Sequence, residues 1–399
     1  MIKDDFLSGI FYSVPNLRFL QFTNEWSKFA VSELLNTYPT NSLSWDKLSY
    51  IEKSKIKNIH YGIIHNGFKS TIINGNNQFI PFVNNSFTPK SYTLLQDGDL
   101  ILADASEDRK DVGRPVEMIN VDNQKIISGL HTIHARNKTN LLINGFKGFY
   151  FQSYAMKKQI YKIANGSKIY GISPANFNEL FISVPSKEEQ QKIVNLLQKI
   201  EDRIETQIKI IKDLKMQRDH LIHSVFSSMN SKLLLITDIA EVYQPQTISS
   251  EKFDEGAEFP VFGANGIIGH YEKYNHENEQ ICIACRGSSV GTINISKKKS
   301  WITGNSMVIN SDNYDDMIDK KFLYYQLMFI DFYKYISGSG QPQITRESLK
   351  NLKIKVPSLA IQHSISNFLN HIDLKITIEA ELLCQYQLQK SYLLKNMFI

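Results

Sequence analysis

Residues 161–226 recur at residues 333–398, at a constant offset of 172 and without a gap. Tyr161 and Lys162 align with Tyr333 and Lys334, Gly166-Ser167 with Gly338-Ser339, and Val184-Pro185-Ser186 with Val356-Pro357-Ser358. The alignment continues through Gln190/Gln362, Ile193/Ile365, Leu197/Leu369, Ile200/Ile372, Ile204/Ile376, Leu221/Leu393 and Phe226/Phe398. So long a period is not that of a solenoid, whose units recur about every 20–50 residues. It describes one chain that mimics a symmetric dimer, with two similar faces suited to a target or partner that comes in two copies.

The second half of each repeat reads as a long helix. The first follows Pro185, with Ser186 as N-cap and Glu188 and Glu189 in the first turn, where they favour the helix dipole. Ile193, Leu197, Ile200, Ile204, Ile211, Leu214, Leu221 and Val225, with Gln207 and Arg218 filling the two gaps, alternate four and three as a heptad seam. Unbroken from Ser186 to Phe226, such a helix would span about 60 Å. The second follows Pro357 and Ser358, with Glu379 and Lys390 at the repeat positions of Gln207 and Arg218. Neither helix can bury its stripe alone, so each is expected to pack on the other, antiparallel. Placing Arg218 opposite Glu379 then sets Gln207 opposite Lys390, Leu214 opposite Leu383 and Ile211 opposite Tyr386, because polar seam residues fix register.

The segments before the helices carry short runs of Ile, Val, Phe and Tyr, broken by turn pairs at Asn66-Gly67, Asn74-Gly75, Asp97-Gly98, Asn144-Gly145, Asn165-Gly166 and Asn265-Gly266. Leu100–Ala103, Ile281–Ala284 and Met307–Ile309 read as strands and Lys320–Phe332 as a helix. The globules match more weakly. Ser128-Gly129 pairs with Thr303-Gly304 at an offset of 175, and Val31-Ser32-Glu33-Leu34 with Ile236-Thr237-Asp238-Ile239 at 205, so the first globule is the longer. The expected fold class is mixed α/β. Its domains would be residues 1–184, a central helix at 185–228, a second globule at 229–356 and a C-terminal helix at 357–399.

A chain of 399 residues suits two domains, and 42% apolar with 21% charged residues are globular values. A net charge of +5 is mildly basic and compatible with nucleic acid. Three cysteines, no basic-then-apolar leader after Met1 and no apolar run of about 18 residues lead to the expectation of a soluble, cytoplasmic chain in a reducing compartment.

Several of these residues together resemble the specificity subunit of a type I restriction–modification system. The opening Val14-Pro15-Asn16-Leu17-Arg18-Phe19, then Phe22, Trp26 and Val31–Leu35, resembles that family's start. Val184-Pro185-Ser186 followed by Glu189-Gln190-Gln191-Lys192-Ile193 resembles its spacer-helix start, and Gly338-Ser339-Gly340-Gln341 with Leu349–Ile354 its approach to the C-terminal helix. One departure is Leu359-Ala360-Ile361-Gln362, where the acidic-Gln-Gln run is reduced. The resemblance implies two target-recognition domains on an antiparallel helix pair, each reading half of a split sequence in double-stranded DNA. It implies docking of two modification (methyltransferase) subunits, with S-adenosylmethionine, ATP and magnesium used by the partner and restriction subunits and no cofactor in this chain.

Catalytic motifs agree by their absence: there is no G-x-x-x-x-G-K-[ST] loop and no Asn/Asp-Pro-Pro-aromatic tetrapeptide, and Phe262–Gly266 reads as a turn. Affinity for DNA needs Lys and Arg on phosphates, and base reading needs polar side chains aimed into a groove. The candidates are Arg109, Lys110 and Arg114 after the Leu100–Ala103 strand, and the group His131, His134, Arg136 and Lys138. In the second globule they are Arg286, Ser288 and Ser289 after Ile281–Ala284, the phosphate-suited run Lys297, Lys298 and Lys299, and Gln341, Gln343 and Arg346. Cys282-x-x-Cys285 lacks a second pair and reads as buried thiols rather than a zinc site. The competing reading is a non-enzymatic pseudo-dimeric scaffold that binds protein; a free-standing nuclease or methyltransferase would need a catalytic motif.

Overall fold

The computed structural model describes residues 14–51, 54–337 and 342–399. The chain divides into two compact units: unit 1 takes the chain up to Lys209 together with Glu381–Ile399, and unit 2 takes Ile210–Ala380. Each unit therefore holds one globule and one segment of both long helices. The Gly338–Gln341 stretch, with the candidate Gln341, lies outside the described residues.

Unit 1 is built on a five-stranded sheet of β1 (Leu35–Tyr38), β2 (Ile72–Asn74), β3 (Leu100–Ala103), β4 (Pro115–Ile119) and β5 (Thr132–Asn137). Its order is β1-β5-β3-β4-β2, antiparallel except for the β2–β4 pair. All of β3 is buried, which is why its Leu-Ile-Leu-Ala run does not alternate: both faces are covered. Helix α1 (Tyr154–Ile163) is capped by Ser153 and leads to the long helix α2 (Lys187–Ser228).

Unit 2 repeats this plan with β6 (Glu241–Tyr243), β7 (Ile281–Ala284), β8 (Ile293–Ile295) and β9 (Ser306–Asn310) in the order β6-β9-β7-β8, followed by α3 (Lys320–Phe329) and α4 (Leu359–Asn396). The strands β1, β5, β3 and β4 thus correspond to β6, β9, β7 and β8. Smaller sheets accompany each: four strands including Lys57–Ile59 in unit 1, and a three-stranded one around the Phe259–Gly263/Gly266–Tyr271 hairpin in unit 2. Ala264 and Asn265 form that hairpin's turn, and Gly266, at a φ of +115°, opens the return strand. Asn66-Gly67, by contrast, ends a short helix at Tyr61–Asn66 rather than joining strands.

The repeat survives where helices meet globules. In both units an antiparallel two-stranded ladder precedes a long helix, Ser27–Ala30 with Phe181–Val184 and Lys232–Leu235 with Lys353–Val356. The amides of Val31 and Ile236 donate to the carbonyls of Leu180 and Leu352 at 2.7 and 2.8 Å. Gln190 donates to the carbonyls of Pro185 and Leu141 while its Oε1 accepts from Ile143 N; Gln362 does the same with Pro357, Met317 and Asp319. Each glutamine is fully buried and satisfied, so it pins its helix start to its own globule.

The seam residues of each unit are buried in that unit's core. Ile193, Leu197 and Ile200 join Leu393, Met397 and Phe398 around Trp26, Phe146 and Tyr150; Ile222 and Phe226 join Leu369 and Phe322. Within each unit the two segments run antiparallel: Glu189 and Asn396 both bind the 17–18 strap, and Phe226 O accepts from Lys355 just before α4. At the end of α2 the buried face shifts from the expected Leu221 and Val225 to Ile222 and Phe226, because α3, rather than the other helix alone, receives them; Phe226 packs 5.4 Å from Phe322.

The charge partners differ from the expectation. Arg218 pairs with Asp373 at 2.9 Å instead of Glu379, and Lys390 pairs with Glu201 at 2.5 Å instead of Gln207. The two observed pairs are exact repeat equivalents at offset 172. The reason is reach: long basic side chains leave the seam for carboxylates at flanking positions, Asp373 half-buried and Glu201 buried with its oxygens bound by Thr71. Asp373 also accepts from Tyr325 Oη at 2.8 Å, and Glu201 from Thr71 N at 2.9 Å. Asp373→Asn should therefore lower unit 2 stability by about 1.5–3 kcal/mol. Exchanging the charges, Arg218→Asp with Asp373→Arg, should recover part of that loss in thermal denaturation; no recovery would disprove the pairing.

Candidate nucleic-acid interface

Antiparallel ladders bring one set of strand ends together in each unit. In unit 2, Ala284 faces Ser306 and Ile283 faces Ile293, so the loops after β6, between β7 and β8, and before β9 emerge at one sheet end. Cys285 ties them. Its N–H donates to Asn305 O and its carbonyl accepts from Ile344 N, both at 3.0 Å, while its Sγ accepts from Gln244 Nε2 and donates to Gly304 O. Gln244 also donates to Gly304 O. Burial pushes the Cys285 thiol up and the Cys282 thiol to about 12, so both stay protonated. Among the described residues no group of three or more potential metal ligands forms.

Arg286, exposed, pairs through its backbone with Gln343, and Ser288 and Ser289 continue the same loop. Gly287 sits at a φ of +79° with open space where a Cβ would be, so the backbone turn rather than crowding calls for glycine. Arg346, exposed, starts the short helix after Ile344 and stays near this node in sequence. Lys297, Lys298 and Lys299 are exposed but follow β8, at the opposite end of the sheet.

The same end of unit 1 carries the 39–41 segment, the loop between β3 and β4, and the turn before β5. Asn41 donates to Asn58 Oδ1 and Ser128 O, and Asp104 N donates to His131 O. His131 is exposed, at a φ of +54°, with Tyr61 edge-on at 5.2 Å. Burial raises the Asp104 carboxyl against the pull of His131. Trp45 stands out from the surface beside His60, which burial lowers to about 4 and so keeps neutral. Lys110 is exposed in the β3–β4 loop.

Four sequence candidates in unit 1 are engaged within the fold. Arg109 donates to the carbonyls of Tyr161 and Ala164 at the end of α1, and Arg114 to those of His65 and Phe68. Arg136 forms a bidentate pair with Asp99 at 2.7 Å, and His134, fully buried, donates to the same carboxylate at 2.8 Å. A ring with no exposed surface cannot reach a base edge, so His134 is a core residue. Lys138 is exposed but leaves the far end of β5. Asn41, Tyr61, Trp45 and Gln244 were missed, because only the strand order shows that they share an end with the β3–β4 and β7–β8 loops.

The comparisons with known proteins agree with this plan. Residues 24–216 and 231–385 match the family described as Type I restriction modification DNA specificity domain, and the chain belongs to that family of specificity subunits, the non-catalytic components of restriction–modification complexes. It is 26% identical over 160 residues to the EcoprrI specificity subunit of Escherichia coli, covering 39% of each chain. It is 29% identical over 114 residues to a type I specificity subunit of Haemophilus influenzae, covering 28% of this chain and 29% of that one, so the aligned stretches span less than half of these two relatives. The fold resembles the type I S subunit from M. genitalium, with a TM-score of 0.60 at 19% identity over 97% of this chain and 99% of that one. It also resembles a chain from a type I assembly, with a TM-score of 0.56 at 15% identity over 92% and 96%. Among the described residues no helix is long and apolar enough to cross a membrane.

The Asp99 cluster makes unit 1 pH-sensitive. Burial alone would raise the carboxyl, but Arg136 and His134 hold it below its ordinary value. A depressed carboxylate contributes stability that is complete above the unfolded value of about 3.9 and is lost as pH falls through the folded value. Asp99→Asn should cost roughly 3–5 kcal/mol at neutral pH. Its melting temperature should converge on that of the parent below about pH 4; a constant difference down to pH 3 would contradict this origin.

Proposed function

We propose that this chain reads a bipartite target in double-stranded DNA, one half through the sheet-end loops of each unit, and docks two methyltransferase subunits. The observation that carries it is the shared strand order of the two units with unlike residues on equivalent loops: Asp104–Arg114 in one, Arg286–Gly291 in the other. One framework with two different edges suits two different half-sites. The methyltransferase partners would bring S-adenosylmethionine, and restriction subunits would bring ATP and magnesium. Exposed apolar residues on α4 support protein docking: Phe368, Leu374 and Ile378 in unit 2, Leu388 and Tyr392 in unit 1.

Arg286→Ala with Ser288→Ala in the assembled methyltransferase complex should change the bases accepted in one half-site and leave the other unchanged. A lost bidentate base contact corresponds to about 1–3 kcal/mol, or roughly 5–150-fold in relative methylation. Unchanged methylation at every site would reject the assignment of this loop. Removing one heptad from each helix should shorten the gap by about 10 Å, near three base pairs, or abolish methylation. An active complex with an unchanged gap would rule out the helices as the spacer.

A further inference from the structure

A cavity of about 610 Å³ opens along α1 in unit 1, between Tyr154, Tyr161 and the β3–β4 loop. Arg109, Lys110, Lys157, Lys158 and Lys162 stand in its wall. A second cavity of about 200 Å³ shares Lys110, Val112 and Lys157 and continues to Arg114 and Gln152. The two form one basic groove that begins at the sheet-end loop. Its acid, Asp111, is already bound by His65 at 2.7 Å.

Arg109 is neutralised by no carboxylate among its hydrogen-bond partners, which are backbone carbonyls, and it stacks 4.2 Å from the Tyr161 ring. Lys395 adds a further charge over the Tyr154 ring. Desolvation holds Lys157 below the ordinary lysine range, against the pull of Asp111, with Arg114 and Lys390 adding to the depression. Positive charge is therefore crowded here and only partly offset by Asp111, which also lies 3.8 Å from Arg114, and this excess favours an anionic partner. Lys158 and Lys162 lie one turn apart, about 6 Å, so they can meet separate phosphates of one strand.

The repeat supplies a comparison within the same chain. Tyr161-Lys162 recurs in unit 2 as Tyr333-Lys334, whereas Lys157 and Lys158 lie before the repeated segment, in α1; Phe329 and Ile330, at the same offset, close α3 and pack against the unit 2 core. The repeat therefore does not call for the lysine pair.

We propose that this groove binds the phosphate backbone of duplex DNA beside the half-site read by unit 1, so that the two halves of the target are held with unequal electrostatic strength. The proposal rests on the DNA-reading function above. Its test is binding of the assembled complex to a target duplex and to an unrelated duplex, across a range of salt concentrations, for Lys157→Gln/Lys158→Gln/Lys162→Gln and for the matching triple arginine variant. The glutamine variant should weaken both duplexes by a similar factor, and lower the slope of log affinity against log salt by about 0.9 per lost contact. The methylated sequence should stay the same, and the arginine variant should keep the parental slope. An unchanged slope and affinity for the glutamine variant, with the parent binding normally, would overturn the groove alone. Loss of a co-purifying methyltransferase subunit would instead make it a protein contact. A parental complex without salt-dependent DNA binding would remove the DNA-reading function itself, and the groove's role with it.

Discussion

A long helix with a one-sided apolar stripe must find cover, and here the cover comes from two sources in each unit. One is the other long helix; the other is the globule itself. Trp26, Phe146 and Tyr150 close over the start of α2 and the end of α4, and Phe322 closes over Phe226. The buried glutamines Gln190 and Gln362 then fix each helix start by hydrogen bonds to carbonyls and amides of its own globule. The duplication is retained at these places because a change in one partner would leave a buried polar group unpaired.

Equal stems do not require equal surroundings. Glu189 accepts two hydrogen bonds from Arg18, which straps the chain's early segment to the helix start. Its repeat equivalent is Ile361, which is exposed. The departure from the family pattern at Leu359–Gln362 therefore falls on Ile361, exposed where Glu189 is buried and bound by Arg18, while the clamping Gln362 is kept.

Much of the framework was legible from residue pattern. Ser186 caps α2, Leu100–Ala103 and Ile281–Ala284 are equivalent buried strands, and the two Cys-x-x-Cys thiols are buried. The partner of Arg218 was not legible, because heptad spacing places side-chain origins and not the tips of long flexible chains. Nor was the engagement of Arg109, Arg114 and Arg136. An arginine that closes a helix end or binds a buried carboxylate looks in sequence like one that meets a phosphate, and the difference lies in contacts 37 to 55 residues away. Lys110, Arg286 and Ser288 remain outward because their loops connect strands beyond the end of the sheet.

In the proposed reading, two unlike edges on one repeated framework recognise two unlike sequences at a set interval. Base-resolution mapping of methylated adenines in DNA modified by the assembled complex tests it directly. The expected result is one motif with two different specified halves separated by a constant run of unspecified bases. A contiguous motif, a palindromic one or a variable interval between halves would contradict it.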